Sequence, residues 1–116
     1  MSIRRLESGP RMSQAVIHGN TVYLAGQVGA PGQSVTAQTT AILESIDRLL
    51  GEAGSDKSKL LQATIWLDSM DDFAEMNAVW DAWVDPANPP ARAAGESRLA
   101  TPDFKVEIIV VAALDS

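Results

Sequence analysis

Few side chains in this chain have the type and setting to bind or convert a small molecule, and the best mounted is Arg92. It follows Asn88-Pro89-Pro90-Ala91. Proline locks φ at about −65° and drives the residue before it towards extended geometry, so the chain leaves the preceding helical pattern with little freedom. A guanidinium on such a mount loses less entropy on gripping a planar anion than one on a loose loop, and its fork matches a carboxylate. The plainer alternative is an arginine that pairs with a surface carboxylate or lies along a strand. Two glutamates follow it, Glu96 and Glu107, and either could hold a water molecule. Glu107 is the one acidic interruption of the apolar run Phe104 to Ala113, where a hydrogen-bonded carboxylate or one at the strand's wet end is the ordinary reading. Asn77 falls one turn before Trp80 on a helical pattern, and a half-buried amide there needs a backbone or ligand partner. Gly26 interrupts a strand pattern just before Gln27, which marks either close approach by a ligand or a bulge. The single histidine, His18, sits at a hairpin rim with no second ligand nearby and reads as solvated.

The totals narrow the field. With 116 residues the chain forms one domain, residues 1 to 116. Nine Lys and Arg against fifteen Asp and Glu leave a net charge of −6. No basic run interrupts that acidity, so neither nucleic acid nor an anionic membrane is an expected partner. The absence of cysteine excludes disulfides, thiolate metal sites and cysteine nucleophiles. The glycines have neither dinucleotide-binding spacing nor a P-loop lysine, and no cofactor or metal is called for. With no signal-peptide core and no long apolar run, a cytoplasmic location is expected.

The elements that must position these residues can be read from periodicity. Ile3 to Glu7 alternates as a short strand. Two β-rich runs, Ser13 to His18 and Thr21 to Val28, flank Gly19-Asn20 as a tight hairpin. Ser34 caps a helix with an apolar stripe of Val35, Ile42, Ile46, Leu49, Leu50 and Ala53, ended by Gly54, with Gln38 placed on its polar face. Lys57 and Lys59 belong to a solvated turn. Leu60 to Leu67 is a strand. Asp72 and Glu75 have capping-box spacing ahead of a second helix, whose stripe Phe73, Met76, Trp80, Trp83 and Val84 packs in the core or an interface. Arg92 to Leu99 is extended, with Arg92, Ala94, Glu96 and Arg98 on one face. The last run is apolar on both faces, as in a central strand. The order β-β-β-α-β-α-β-β predicts an α+β sandwich with two helices on one face of a sheet. The other face is either wet or meets copies of itself.

Taken in order, Ser13-Gln14-Ala15-Val16, Val22-Tyr23-Leu24-Ala25-Gly26-Gln27, Gln38-Thr39, Ala53-Gly54, Trp66-Leu67-Asp68-Ser69-Met70-Asp71-Asp72-Phe73, Asn77-Ala78-Val79-Trp80, Pro90-Ala91-Arg92 and Val106-Glu107-Ile108 span nearly the whole chain. Together they resemble the RidA/YjgF/YER057c/UK114 family of reactive-intermediate deaminases. The resemblance implies a chorismate-mutase-like α+β fold with a mixed sheet, and a homotrimer whose sheets form a central barrel with ligand clefts between subunits. It implies that Arg92 grips the carboxylate of short-lived enamines and imines such as 2-aminoacrylate, which water converts to a 2-oxo acid and ammonia. It further implies that Gly26, Gln27, Asn77, Ala93 and Ala94 line the cleft and that no cofactor is needed. This chain departs from the family pattern at three places. Ile109 replaces the usual water-positioning glutamate, Met12 stands where a tyrosine is usual, and Ala94 replaces a frequent cysteine. The expected catalytic pair is therefore Arg92 with Glu107, and Met12 and Ile109 join the substrate-binding set.

Two functions are compatible with this pattern. One is hydrolytic deamination of imines or enamines, with water held by backbone carbonyls and Glu96 or Glu107. The other is a non-catalytic homotrimer that binds small carboxylate metabolites or shields partner proteins. A ribonuclease role ranks behind both, because no basic surface is evident and His18 has no second histidine with which to form an acid and base pair.

Overall fold

The computed structural model describes residues 2 to 114. Its elements are β1 (Ile3–Ser8), β2 (Ser13–His18), β3 (Thr21–Leu24), α1 (Val35–Ala53), β4 (Leu60–Leu67), α2 (Phe73–Trp83), β5 (Ala91–Glu96) and β6 (Val106–Ala113), with single 3-10 turns at Lys57–Lys59 and Met70–Asp72. The strands form one mixed sheet in the order β1-β2-β3-β6-β4-β5. Only the β4 and β5 pair is parallel. This matches the expected α+β order, with both helices on one face.

The hairpin turns at Gly19, whose φ of 63° glycine adopts at no steric cost. β3 is shorter than the pattern suggests. From Tyr23 opposite Val111 to Gln27 opposite Ile108 the chain uses one more residue than β6 does, so the ladder breaks into a bulge and resumes as a single bridge at Gln27.

α1 starts and stops as the sequence predicts. Ser34 Oγ accepts the N–H of Ala37, and Gly54 closes the helix in the left-handed conformation. The stripe Val35, Ile42, Ile46, Leu49, Leu50 and Ala53 is buried against β2, β3 and β6, where Ala15, Val22, Val110 and Ala112 complete the core.

Two local readings are corrected. Gln38 is fully buried rather than on the polar face. Its Nε2 donates to the carbonyls of Gln33 and Asp103, both at 3.0 Å, and its Oε1 accepts the N–H of Lys105 at 2.8 Å. Three backbone groups from two loops thus replace the water that a surface glutamine would use. The expected box between Asp72 and Glu75 does not form. The 3-10 turn runs straight into α2, Asp72 makes no side-chain cap, and Ser69 accepts the N–H of Asp71 instead. Glu75 turns to the other helix, accepting both the backbone N–H and the hydroxyl of Thr36 at 2.9 Å.

Opposite the helices, the sheet's second face is uncovered within the chain. Along β6 it carries Glu107, Ile109, Val111 and Ala113, all half-buried, and across it lie the exposed rings of Tyr23 and Trp66. Among the described residues no helix is long and apolar enough to cross a membrane.

Replacing Gln38 by alanine removes the partner of the Gln33 carbonyl and of the Lys105 N–H and leaves the Asp103 carbonyl with the Gly32 N–H alone. The substitution is expected to cost about 2–4 kcal/mol, read by denaturant unfolding, with the helical circular dichroism of the folded protein retained.

Candidate functional site

β5 is the edge strand on which the site is built, and its sequence, Ala-Arg-Ala-Ala-Gly-Glu, offers little bulk for packing. Its parallel ladder sets Arg92 opposite Ala63, Ala94 opposite Ile65 and Glu96 opposite Leu67. Those three β4 residues are fully buried or nearly so on the helix side, so Arg92, Ala94 and Glu96 share the helix-side face, as alternation predicts. Ala91, Ala93 and Gly95 occupy the uncovered face. There Trp66 lies over Gly95, with Cζ3 3.0 Å from where a β-carbon would stand, so the ring covers the bare backbone of the edge strand.

Arg92 reaches from β5 to α2. Its Nη1 donates to Asn77 Oδ1 at 2.8 Å, and the guanidinium carbon lies 5.4 Å from the centre of the Trp80 ring and 5.8 Å from that of Phe73. Phe73, Asn77 and Trp80 recur at four and three residues, so a single helix face presents the amide and both rings. Trp80 in turn packs on Trp83 at 5.3 Å, and Trp83 Nε1 donates to Asp47 on α1. Asn77 has found its partner, and that partner is the arginine. Among the described residues Arg92 forms no ion pair; the salt bridges belong to Arg48, which joins Glu7 and Glu52. Arg92 is thus a solvent-exposed cation held by a neutral amide and two aromatic faces, with its remaining N–H groups unspent.

Glu96 shares that face. Its Oε2 accepts the N–H of Met70 at 3.0 Å at the entry to the 3-10 turn before α2.

The other expected site residues lie elsewhere. Glu107 pairs across the sheet with Trp66 and Ile109 with Thr64, so both are on the uncovered face, as is Ala93 beyond Thr64. Gly26 accounts for its missing side chain here. A β-carbon at that position would stand 2.3 Å from Glu107 Oε2, so the close approach inferred from the sequence is by this carboxylate. Gln27 is buried, its Nε2 donating to Gln14 Oε1 at 2.9 Å and to the Ala25 carbonyl at 3.0 Å. Met12 is exposed in the turn between β1 and β2. Three strands separate β2 from β5, about 19 Å at ordinary strand spacing. One chain therefore assembles Arg92, Asn77 and Ala94 on one face and Glu107, Ile109, Gly26 and Ala93 on the other, and it does not bring the expected catalytic pair together. Sequence reasoning missed Phe73 and Trp80 as the floor beneath Arg92; their stripe was visible, but its neighbour was not. Among the described residues no group of three or more His, Asp or Glu is placed to hold a metal ion.

Two helices on one face of a mixed six-stranded sheet, with an arginine on its edge strand that is free of ion pairs among the described residues, define a compact α+β class, and the comparisons narrow it. The family model described as endoribonuclease L-PSP matches residues 2–114, so the chain belongs to that family. A RutC family protein of Haemophilus influenzae is 45% identical over 114 residues, covering 97% of this chain and 98% of that one. A Neisseria meningitidis member of the YjgF protein family superposes with a TM-score of 0.97 at 46% identity, covering 100% of this chain and 98% of that one. A Mycobacterium tuberculosis member of the YjgF/YER057c/UK114 family does so with a TM-score of 0.86 at 26% identity, covering 97% and 99%.

Gly26→Ala tests the packing of Glu107. The alanine is expected to drive the carboxylate to another rotamer while the strand stays in place, with a stability change within about 1 kcal/mol because only the end of a flexible chain must move. A crystal structure of the variant and thermal unfolding measure both.

Proposed function

We propose that the chain hydrolyses small imines and enamines that carry a carboxylate, releasing ammonia and a 2-oxo acid. The observation that carries this reading is the state of Arg92, a guanidinium held in place by Asn77, Phe73 and Trp80 without a carboxylate of its own. A planar carboxylate can take the free N–H groups as a fork, which fixes the neighbouring imine carbon relative to a water. An enamine first tautomerises to the imine. Water then adds to the imine carbon: the C–O bond forms, the π electrons pass to nitrogen, and nitrogen takes a proton. The resulting carbinolamine collapses as the C–N bond breaks, ammonia leaves with the electron pair and a proton, and the carbonyl forms. Such imines hydrolyse readily in water, so placement and exclusion of other reactions suffice for a useful acceleration.

The uncovered sheet face supports a homotrimer as the working form. Half-buried Glu107, Ile109 and Val111 beside exposed Tyr23 and Trp66 offer an apolar face with no helix to cover it. Contact between such faces is the route by which the Glu107 side of one copy would reach the Arg92 edge of another, making the ligand cleft an inter-subunit one. Sedimentation equilibrium is expected to give three times the 12.4 kDa chain mass; a monomer at micromolar concentration counts against this arrangement.

The second reading, a carboxylate-binding protein without turnover, is favoured by one feature. Ile109 stands in a row with Thr64 and Ala93 and offers no group to orient water. Endoribonuclease activity, the family model's description, is disfavoured by the net charge of −6 and the lone exposed His18.

An amino-acid oxidase that generates imines in situ decides between the two main readings. Wild type is expected to accelerate ammonia release, and Arg92→Ala to lose about ten- to a hundredfold of that acceleration. Equal rates in both proteins, or none in either across a broad panel, reject deamination. If wild type binds 2-oxo acids without turnover and Ile109→Glu gains it, the binding reading holds and the missing water-orienting group is located.

A further inference from the structure

Two hydrogen bonds tie β5 to the segment that carries α2. Arg92 donates to Asn77, and Glu96 accepts from the N–H of Met70. The segment runs antiparallel to β5, because the earlier residue of the strand meets the later residue of the helix. Four residues of strand from Arg92 to Glu96 cover about 13 Å. From Met70 to Asn77 the chain runs through three residues of 3-10 helix and then enters α2, which rises about 12 Å. The two spans match because the 3-10 turn is longer per residue than α-helix. Ala94 stands between the ties and fills none of the space between them, so Glu96 is the tie at the start of the helical segment, while the Arg92 end also rests on Phe73 and Trp80 and α2 is held to α1 by Glu75 and Trp83.

We propose that Glu96 is a positioning residue for the carboxylate clamp: by binding the Met70 N–H it fixes α2 along β5, which places Asn77, and with it the Arg92 guanidinium. The inference rests on the reading of Arg92 as the carboxylate site. It assigns Glu96 a role distinct from holding water. One oxygen of the carboxylate is committed to the backbone of Met70, and the effect on ligand passes through Asn77. The N–H of Met70 requires an acceptor and not a charge, so glutamine can replace the glutamate through its side-chain carbonyl.

The experiment is calorimetric titration of 2-oxobutanoate into the full-length protein and its variants, with thermal unfolding recorded for each. Glu96→Ala is expected to raise Kd about five- to tenfold, and Glu96→Gln to restore it to within about twofold of wild type. In the Asn77→Ala background, Glu96→Ala is expected to add no further loss, since the two act as one path. Should Glu96→Ala fail to fold, Glu96→Asp takes its place, its carboxylate being one methylene too short to reach Met70. Losses that simply add in the double variant, or a glutamine variant as weak as the alanine one, overturn the proposal; the second result would mean that the charge itself acts on the ligand. An unchanged Kd in Glu96→Ala, with binding abolished in Arg92→Ala, also overturns it while leaving the clamp intact. Unchanged binding in Arg92→Ala would instead remove the reading of the site on which it rests.

Discussion

An edge strand made largely of alanine and glycine has almost no burial with which to hold itself, and β5 must nevertheless keep one arginine in place. Its ladder to β4 supplies hydrogen bonds along one side only. The remaining restraints come from outside the strand. Pro89 and Pro90 limit how the chain enters, the Trp66 ring closes over Gly95 on the uncovered face, and Glu96 grips the turn before α2 on the helix side. Each restraint is small, at about 1 kcal/mol for an ordinary hydrogen bond or aromatic contact. Together they act on both faces and at both ends of a six-residue element. The small side chains that make the strand weak also leave the guanidinium open to solvent and to a ligand.

For the proposed role, the electrostatics of that arrangement favour a small anion over a long one. The chain is acidic overall, and Arg92 is an isolated cation near neutral partners. At physiological salt the field of distant carboxylates is screened within about 8 Å, so a small anion close to the guanidinium feels mainly that group. A long polyanion would lie across the acidic surface beyond that distance and meet repulsion. Had Asn77 been an aspartate, the arginine would be satisfied internally. A neutral amide orients the fork without cancelling its charge. The rings of Phe73 and Trp80 add cation–π attraction that holds the guanidinium without spending its N–H groups.

How much of this was legible in the sequence depends on whether the signal was local. The Ser34 cap, the Gly54 stop, the apolar stripe of α1 and the Gly19 hairpin are set by residues within a few positions of one another, and each was readable. Burial by periodicity failed at Gln38 because a glutamine on a core-facing position looks polar until its three backbone partners, two of them 65 and 67 residues away, are known. The capping box failed for a related reason: spacing identifies Glu75 as able to cap, and only the fold shows that the Asp72 N–H is already taken by the Ser69 carbonyl and that Thr36 of the other helix offers Glu75 two donors. Gly26 was legible as a place of close approach, while the identity of the approaching group was not. Arg92 and Asn77 were both singled out, but the bond between them crosses from strand to helix, and no pattern within either element predicts it.

The separation of the two groups across the sheet bears on how this family member can differ from its relatives. Arg92, Asn77 and Ala94 lie on the helix side, whereas Ile109, Glu107 and Gly26 lie on the uncovered side. A substitution at 109 changes a row shared with Thr64 and Ala93, and it touches neither the amide nor the rings that orient the guanidinium. In the proposed function, the grip on a carboxylate and the handling of water therefore fall to opposite faces of a single chain. In the proposed assembly they meet only where one copy's uncovered face adjoins another's β5 edge. Under the proposed function, a change at 109 would fall on the rate of the chemical step and leave the binding step as it was. By the same reasoning, substitutions that loosen the ties of β5 to α2 would fall first on binding.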